Sequence, residues 1–306
     1  MEKLVFTVDE DNENQRIDKY LVAMLPEFTR SHIQSNIKDG LVTVDENVVK
    51  ANFRLSQGDI VAVQVPEPVT PDIVAEEIPL NIIYEDNDII VISKPKNMVV
   101  HPAPGNYSGT LVNALMHHCK GELSGINGVM RPGIVHRIDK DTTGLIVICK
   151  NDIAHQSLAN QLKEHSINRV YHTVVLGNFK HDSGIVDAPI GRHHINRKKM
   201  STRSRSGRDA MTHYEVVERF GNYTYLACRL ETGRTHQIRV HMASIGHPIL
   251  GDELYGPSKQ PFKLDGQTLH AKVLGLVHPT TKEYLEFEDE LPDYFVELIE
   301  KLRYNK

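Results

Sequence analysis

Apolar positions near the start of the chain follow a helical period. The spacing i, i+3, i+4, i+7 and i+8 is typical of one face of an amphipathic helix and is occupied by Ile17, Tyr20, Leu21, Met24 and Leu25. Pro26 ends this helix because proline lacks the backbone N–H that a further turn needs. Thr29 or Ser31 can cap a second short helix, and Gly40 lies where a left-handed residue would end it. Two consecutive helices are therefore predicted.

The apolar period changes to that of strands after Gly40. Residues 41–49 predict a hairpin around the turn-forming Asp45-Glu46-Asn47, and residues 60–65 predict another strand. The first part of the chain should therefore be a small module of two helices followed by strands.

Prolines interrupt all periodicity between residues 66 and 79 and predict an extended linker. We therefore expect two domains, over residues 1–70 and 80–306. In the second domain helical segments at 154–164 and 292–302 alternate irregularly with short β-rich runs, which lie at residues 82–84, 89–92, 145–149, 170–176 and 223–230. Because no regular βαβ repeat is present, we predict an α+β domain with a mixed or antiparallel sheet.

Charge is distributed unevenly along the 306 residues, whose formal net charge is −5. Residues 283–300 hold eight acidic side chains and no lysine or arginine, whereas residues 192–208 hold seven basic side chains and no acid. The local distribution matters more for nucleic-acid binding than the net value. A basic loop on an acidic protein is therefore compatible with an RNA ligand.

Cysteine usage and hydropathy predict a cytoplasmic protein. Cys119, Cys149 and Cys228 show no CxxC spacing, which argues against both a disulfide framework and a thiolate zinc site. The 17 histidines form neither an HExxH motif nor a paired Cys/His set, so no metal is expected. The N-terminus does not resemble a signal peptide, and no apolar run approaches the ~18 residues of a membrane span.

The densest polar segment, RPGIVHRIDKDTTG, covers residues 131–144 and leads into the apolar run 145–149. Small and turn-forming residues before a buried strand hold polar side chains at the strand's edge, where they can reach a cleft. Spacing alone favours a plainer interpretation, in which the aspartate and arginine side chains only cap backbone groups.

A second polar segment, ETGRTHQIRVHM, covers residues 231–242. Donors suited to a phosphate or a carboxylate are Arg234, His236 and Gln237. Apolar and basic side chains alternate over residues 238–241, which predicts a half-buried strand. The alternative is an exposed strand with ordinary surface charges.

Both segments resemble motifs of the RluA/RluD family of pseudouridine synthases. Residues 134–143 are similar to the family's active-site motif HRLDxxTSG, with Ile138 in place of its leucine and Thr143 in place of its serine. Residues 233–251 are similar to the family's GRTHQIRVH, GHP and GD segment. Further matches extend the resemblance over nearly all of residues 80–280. The first seventy residues resemble, by a looser pattern, the S4-like RNA-binding module that many members carry.

The resemblance implies an enzyme that isomerises uridine to pseudouridine in structured RNA without a cofactor. The reaction breaks the N-glycosidic bond, turns the uracil and rejoins it through carbon-5. By the family pattern Asp139 is the catalytic carboxylate, and Arg239 is the partner that keeps it ionised in a desolvated pocket. Tyr171 matches the family tyrosine that stacks on the target base. Arg137 and Arg234 are local competitors for the role of the partner.

Other side chains are expected to bind the RNA substrate. These residues, from the two motifs, the base pocket and the basic loop, are His136, Arg137, Arg234, His236, Leu269, Arg197, Lys198 and Lys199. Leu269 would form an apolar floor below the base, although core packing explains it equally well. The basic loop would hold phosphates and so offset the cost of extruding a stacked uridine.

The sequence leaves two other classes of function open. One is a non-catalytic RNA-binding protein that assists ribosome assembly. The other is a glycosidic hydrolase that uses two carboxylates, such as Asp139 and Asp141. A free-uracil product would indicate the hydrolase, and unchanged RNA would indicate the binding protein. Within the synthase interpretation, large-subunit ribosomal RNA is the expected target, transfer RNA comes second, and a monomer is expected because no long apolar seam is evident.

Overall fold

The computed structural model describes residues 2–26, 28, 30–65, 73–103, 105–128, 131–204 and 206–304. The chain forms two compact units, Met1–Pro71 and Asp72–Lys306. Thr29, Arg205 and the first part of the predicted linker lie outside the described residues. Within the described ranges, no helix is long and apolar enough to cross a membrane.

The N-terminal unit combines two helices with a four-stranded antiparallel sheet of order β1-β4-β2-β3. Its elements are β1 (Glu2–Thr7), α1 (Ile17–Met24), α2 (Arg30–Lys38), β2 (Val42–Val44), β3 (Asn47–Val48) and β4 (Ile60–Val65). Ile17, Leu21 and Ile37 from the helices pack against Val61 and Val63 of β4 in one apolar core.

Local signals in this unit largely act as predicted. Gly40 has φ +75, so it ends α2 in the left-handed region that glycine adopts at low cost. Asp45 and Glu46 also have positive φ and form the two-residue turn between β2 and β3. Ser31 lies inside α2, so it is not the helix cap that the sequence suggested.

The second unit is built on a mixed sheet of nine strands. Its elements are β5 (Asn81–Glu85), β6 (Ile89–Lys94), α3 (Leu111–His118), β7 (Thr143–Cys149), α4 (Asp152–Lys163), β8 (Asn168–Leu176), β9 (Ser183–Asp187), β10 (Gly191–Arg192), β11 (Met200–Ser201), β12 (Met211–Arg219), β13 (Tyr223–Leu230), α5 (Gln237–Ser244), β14 (Leu269–Val277), β15 (Tyr284–Glu288) and α6 (Asp293–Tyr304). The strand order is β5-β6-β7-β14-β8-β13-β12-β9, with β15 beside β14. β7 and β14 pair in parallel, and the other pairs described in this sheet are antiparallel. The predicted α+β architecture with a mixed sheet is confirmed.

The continuous apolar runs of β6 and β7 follow from burial on both faces of the sheet. Ile90 and Ile92 face one core, which includes Leu111 and Leu115 of α3. Ile89 and Val91 face a second core, which includes Leu158 of α4. A strand covered on both sides has no polar face, so its sequence shows no alternation. This rigid centre of the sheet carries the polar segment that precedes β7.

The segment after β13 folds differently from the sequence-based prediction. Residues 237–244 form helix α5, not a half-buried strand. The prediction was wrong because Arg239 and His241 are buried together with Ile238 and Val240, so polarity alternates along the chain while burial does not. Two charged or polar side chains inside the unit indicate a site rather than a surface.

Candidate active site

A cavity of about 480 Å³ opens where five segments of the second unit meet. The segments are the loop 135–142 before β7, residues 162–165 at the end of α4, the start of β8, residues 230–239 leading into α5, and the start of β14. Sequence-predicted residues that line this cavity are His136, Arg137, Asp139, Tyr171, Arg234, His236, Arg239 and Leu269. The fold therefore brings together side chains that are separated by more than a hundred residues in the chain.

Arg239 lies between two carboxylates. Its Nη1 donates to Oδ2 of Asp139 at 2.8 Å. Its Nε and Nη2 donate to the two oxygens of Asp252 at 2.7 and 3.0 Å. Burial alone would lower the pKa of Arg239, but the hydrogen bonds and charges of Asp252 and Asp139 raise it above its ordinary value. The guanidinium is thus a fixed positive charge beside Asp139.

Asp252 orients the Arg239 guanidinium through the nitrogens that do not contact Asp139. Its side chain is fully buried, and Oδ1 also accepts the backbone N–H groups of Leu254 and Tyr255 at 2.9 and 3.0 Å. The bidentate geometry fixes the plane of the Arg239 fork. No role was predicted for Asp252 from the sequence, although it directly follows residues 233–251, which resemble the second family motif.

The turn before α5 is fixed by Gln237. Its Oε1 accepts from the Arg234 N–H and the Thr232 hydroxyl, and its Nε2 donates to Met211 O and Thr212 Oγ1. All hydrogen-bonding positions of this buried amide are therefore occupied, as burial of a polar group requires. The satisfied amide explains why a glutamine stands at the first position of α5.

His236 precedes α5 in a left-handed conformation, with φ +55. This backbone turn directs its ring into the cavity, where Nε2 lies 3.8 Å from Oδ1 of Asp139. Nδ1 lies 2.8 Å from the hydroxyl of Tyr255. Burial lowers the pKa of His236, with the charge of Asp139 opposing it, so the ring is neutral at pH 7.

Tyr171 and Leu269 supply apolar surface in the same cavity. Both side chains are largely buried, and they come from the adjacent strands β8 and β14. Burial raises the pKa of Tyr171, so its phenol keeps the proton at neutral pH. An aromatic and an aliphatic side chain facing one cavity suit a flat ring between them.

The three remaining motif residues differ in how freely their side chains face the cavity. His136 Nε2 accepts the Val147 N–H at 3.1 Å, and burial together with Arg169 lowers the pKa of His136 to about 3. This neutral ring ties the loop 135–142 to β7. Arg234 donates from Nε to Asp209 O at 2.9 Å. Arg137 is exposed and also borders a second, smaller cavity.

The loop that carries Asp139 is held by a buried lysine to which the sequence motifs gave no role. Lys94, which is fully buried, donates from Nζ to the carbonyl oxygens of Pro95, Met98 and Lys140 at 2.7 to 3.0 Å. Burial lowers the pKa of Lys94 to about 7. Lys94 and Pro95 lie within residues 80–280, where the sequence resembles the family, but no role was predicted for either of them.

The basic loop forms a hairpin whose charged tip does not line the cavity. It runs between β10 and β11, and its exposed side chains at the tip include Arg197 and Lys198. The Met200 N–H donates to the hydroxyl of Tyr255 at 2.7 Å, and Lys199 Nζ lies 5.9 Å from the centre of that ring. The hairpin is therefore anchored next to the cavity through Tyr255.

Comparison with known proteins shows which families the chain resembles. The family described as RNA pseudouridylate synthase matches residues 88–244, and the S4 domain family matches residues 15–61. The chain is 53% identical over 305 residues to "Uncharacterized RNA pseudouridine synthase YlyB" of Bacillus subtilis (strain 168), with 100% of both chains covered. It is 45% identical over 298 residues to "Ribosomal large subunit pseudouridine synthase D" of Zymomonas mobilis, covering 94% of this chain and 93% of the relative.

A solved structure shares much of this fold. "Human RNA Pseudouridylate Synthase Domain Containing 4" superposes with a TM-score of 0.56 at 27% identity, covering 73% of this chain and 93% of the human one.

Among the described residues no group of three or more His, Cys, Asp or Glu side chains could hold a metal ion. The protein is a member of the RNA pseudouridylate synthase family with an N-terminal S4 domain, and it acts on RNA as a pseudouridine synthase.

Proposed function

We propose that this enzyme isomerises specific uridines of large-subunit ribosomal RNA, with Asp139 as its catalytic carboxylate. The observation that carries the proposal is the 2.8 Å ion pair between Asp139 and Arg239 inside the cavity. A carboxylate that acts at the sugar or the base must stay ionised where bound RNA excludes water. A guanidinium fixed by a second carboxylate supplies the opposite charge beside it without offering a proton of its own.

The other cavity residues fit a flipped uracil. Tyr171 and Leu269 would contact the two faces of the base, and Arg137, Arg234 and His136 would contact the flanking RNA or orient the loop. The exposed Arg197 and Lys198 on the hairpin, with Lys199, would hold phosphates. These contacts would offset the free-energy cost of taking the uridine out of its stack.

The choice of RNA rests on relatives and on the S4 domain. The Zymomonas mobilis relative is named for the ribosomal large subunit, and the match covers nearly the full length of both chains. Transfer RNA is the second candidate substrate, and neither relative described above is named for it. A ribosomal substrate implies work in the cytoplasm, and we propose that the enzyme acts there as a monomer.

The test is a map of pseudouridines in ribosomal and transfer RNA from cells that carry the wild-type protein, Asp139→Asn or Asp141→Asn. A carbodiimide-dependent stop of reverse transcription marks each pseudouridine. Asp141 is the matched control, because it lies two residues away on the same loop and would be the second carboxylate of a hydrolase.

We expect specific stops in large-subunit ribosomal RNA to disappear with Asp139→Asn and to persist with Asp141→Asn. Identical maps in all three strains would remove Asp139 from catalysis. Stops that disappear only from transfer RNA would keep the catalytic proposal and replace the substrate.

A further inference from the structure

Tyr255 connects the cavity to the basic hairpin, and nothing in the sequence motifs assigns it a role. We infer that Tyr255 is a positioning residue that fixes His236 as a neutral Nε2–H donor, and that this donor contacts a carbonyl oxygen of the target uracil. The inference rests on the proposed function, since it places the uracil beside Asp139.

The hydrogen bonds of Tyr255 determine which nitrogen of His236 carries the proton. The Met200 N–H can only donate, so the Tyr255 oxygen accepts it, at 2.7 Å. Burial raises the pKa of Tyr255 to about 12, so the phenol keeps its own proton and needs an acceptor. His236 Nδ1, at 2.8 Å, accepts that proton. A neutral imidazole that accepts at Nδ1 carries its hydrogen on Nε2.

The Nε2–H then faces the cavity, and no hydrogen bond links it to any of the residues that the structure describes. Burial is the largest influence on His236 and lowers its pKa; the charges of Arg239 and Arg137 also lower it, whereas those of Asp139 and Asp252 raise it. Nε2 is 3.8 Å from Asp139 Oδ1, which is longer than a hydrogen bond. The proton is therefore available to a ligand that lies beside Asp139.

Tyr255 also limits the motion of this donor. Its ring meets the His236 ring edge-on, with centroids 5.7 Å apart and an interplanar angle of 77°. The Arg239 guanidinium lies over the same Tyr255 ring, with Cζ 5.2 Å from the ring centroid. One side chain thus contacts both residues that approach Asp139, and its hydroxyl is held by the hairpin.

A donor at this position has a defined chemical use. Negative charge develops on the uracil carbonyl oxygens whether the glycosidic bond breaks first, leaving its electron pair on the ring, or the carboxylate first adds to the base. A neutral N–H placed in advance stabilises that charge through a hydrogen bond, and no proton is transferred. A protonated imidazole would instead pair with Asp139 and compete with Arg239 for it.

The experiment compares Tyr255→Phe with Tyr225→Phe in the full-length enzyme. Tyr225 is a matched control, because its hydroxyl also bonds to a histidine Nδ1, that of His172, but neither residue lines the cavity. Activity is measured as tritium released from a ribosomal RNA fragment made with 5-tritiated uridine. Side-chain ¹⁵N spectra of histidine-labelled protein report which nitrogen of His236 is protonated.

We expect the wild-type His236 to be protonated at Nε2 and Tyr255→Phe to lose that single tautomer. We expect kcat to fall about tenfold in Tyr255→Phe while KM for the RNA changes by less than about twofold, because phosphate contacts dominate affinity. Tyr225→Phe should leave both constants unchanged. His236→Leu should lower kcat about a hundredfold, and His236→Gln, which keeps an N–H near the ε position, should recover part of that loss.

Either of two results would overturn the inference: a wild-type His236 protonated at Nδ1, or equal losses of kcat in Tyr255→Phe and Tyr225→Phe. The failure of the proposed function looks different. In that case the wild-type enzyme would release no tritium from the ribosomal fragment, whatever the tautomer of His236.

Discussion

The Nζ of Lys94 donates a hydrogen bond to the carbonyl oxygen of Lys140, one residue beyond Asp139, and the two atoms are 3.0 Å apart. The same nitrogen bonds to the carbonyls of Pro95 and Met98, so a fully buried lysine ties the end of β6 to the loop before β7. A buried lysine is tolerated only when its donors are paired. The Lys94 side chain therefore fixes the loop that carries Asp139.

Replacement of Lys94 by methionine should destabilise the enzyme and slow it. The change keeps the volume but leaves the carbonyl oxygens of Pro95, Met98 and Lys140 without their donor, so we expect the free energy of unfolding to fall by about 3 kcal/mol. Because the Asp139 carboxylate would then be positioned less firmly, kcat should fall about tenfold. Chemical denaturation and tritium release measure the two effects. Lys140→Met is the control for stability, because its side chain is exposed and its carbonyl remains. Equal stability of the two variants would contradict the prediction.

Asp252 should be needed for catalysis although it does not line the cavity. Asp252→Asn keeps an oxygen for the Leu254 and Tyr255 N–H groups but loses the charge that holds the Arg239 fork. We expect kcat to fall about tenfold or more, with a smaller change in KM. Asp252→Ala should in addition lower the free energy of unfolding by about 3 to 5 kcal/mol, since it leaves a buried guanidinium half-paired. A kcat for Asp252→Asn equal to that of the wild type would refute the role.

Much of the site could be predicted from the sequence because its residues lie in two dense motifs. Asp139, Arg239 and His236 were identified from the motif pattern, and the structure brings them to one cavity. Asp252 and Tyr255 were not assigned roles, because what they do depends on hydrogen bonds across a turn of the backbone. No period or spacing in the sequence records such a contact.

The main error concerned the secondary structure of residues 237–244. A strand was predicted since polar and apolar residues alternate, yet α5 buries Gln237, Arg239 and His241 through specific hydrogen bonds. Polarity predicts burial only where polar groups stay in water. Active sites violate that assumption, so a pattern-based prediction fails first where the chemistry is.

Gly144 should tolerate no side chain. It has φ +102, and a Cβ there would lie 2.3 Å from the Ala271 carbonyl oxygen, where β7 and β14 pair in parallel. We expect Gly144→Ala to lower the free energy of unfolding by about 3 kcal/mol or more, because backbone must move. Gly221→Ala is the control, since Gly221 also has positive φ but open space around it. It should cost only about 1 kcal/mol. Thermal or denaturant unfolding measures both variants. If Gly144→Ala and Gly221→Ala lowered the free energy of unfolding by similar amounts, the close approach to Ala271 would be unimportant.

Asp18 should make the N-terminal unit sensitive to acid. Burial alone would raise its pKa, but hydrogen bonds from Arg16, Arg30 and Gln34 lower it to about 2, against an ordinary value of 3.8. A lowered pKa in the folded state stabilises the protein above the unfolded pKa, and the contribution is lost as pH falls from about 5 through 2. Because both arginines are partly exposed, we expect it to be about 1 to 2 kcal/mol.

The measurement is hydrogen exchange of peptides from residues 2–65 in the full-length protein, for wild type and Asp18→Asn. The variant should exchange faster at pH 6, and the difference between the two proteins should shrink as the pH approaches 2. Asp39→Asn is the control, because Asp39 is exposed and its side chain accepts only the Ser35 hydroxyl among the bonds described. A difference for Asp18→Asn that stays constant with pH would mean that the charge of Asp18 does not stabilise the unit, and packing of its side chain would be the remaining explanation.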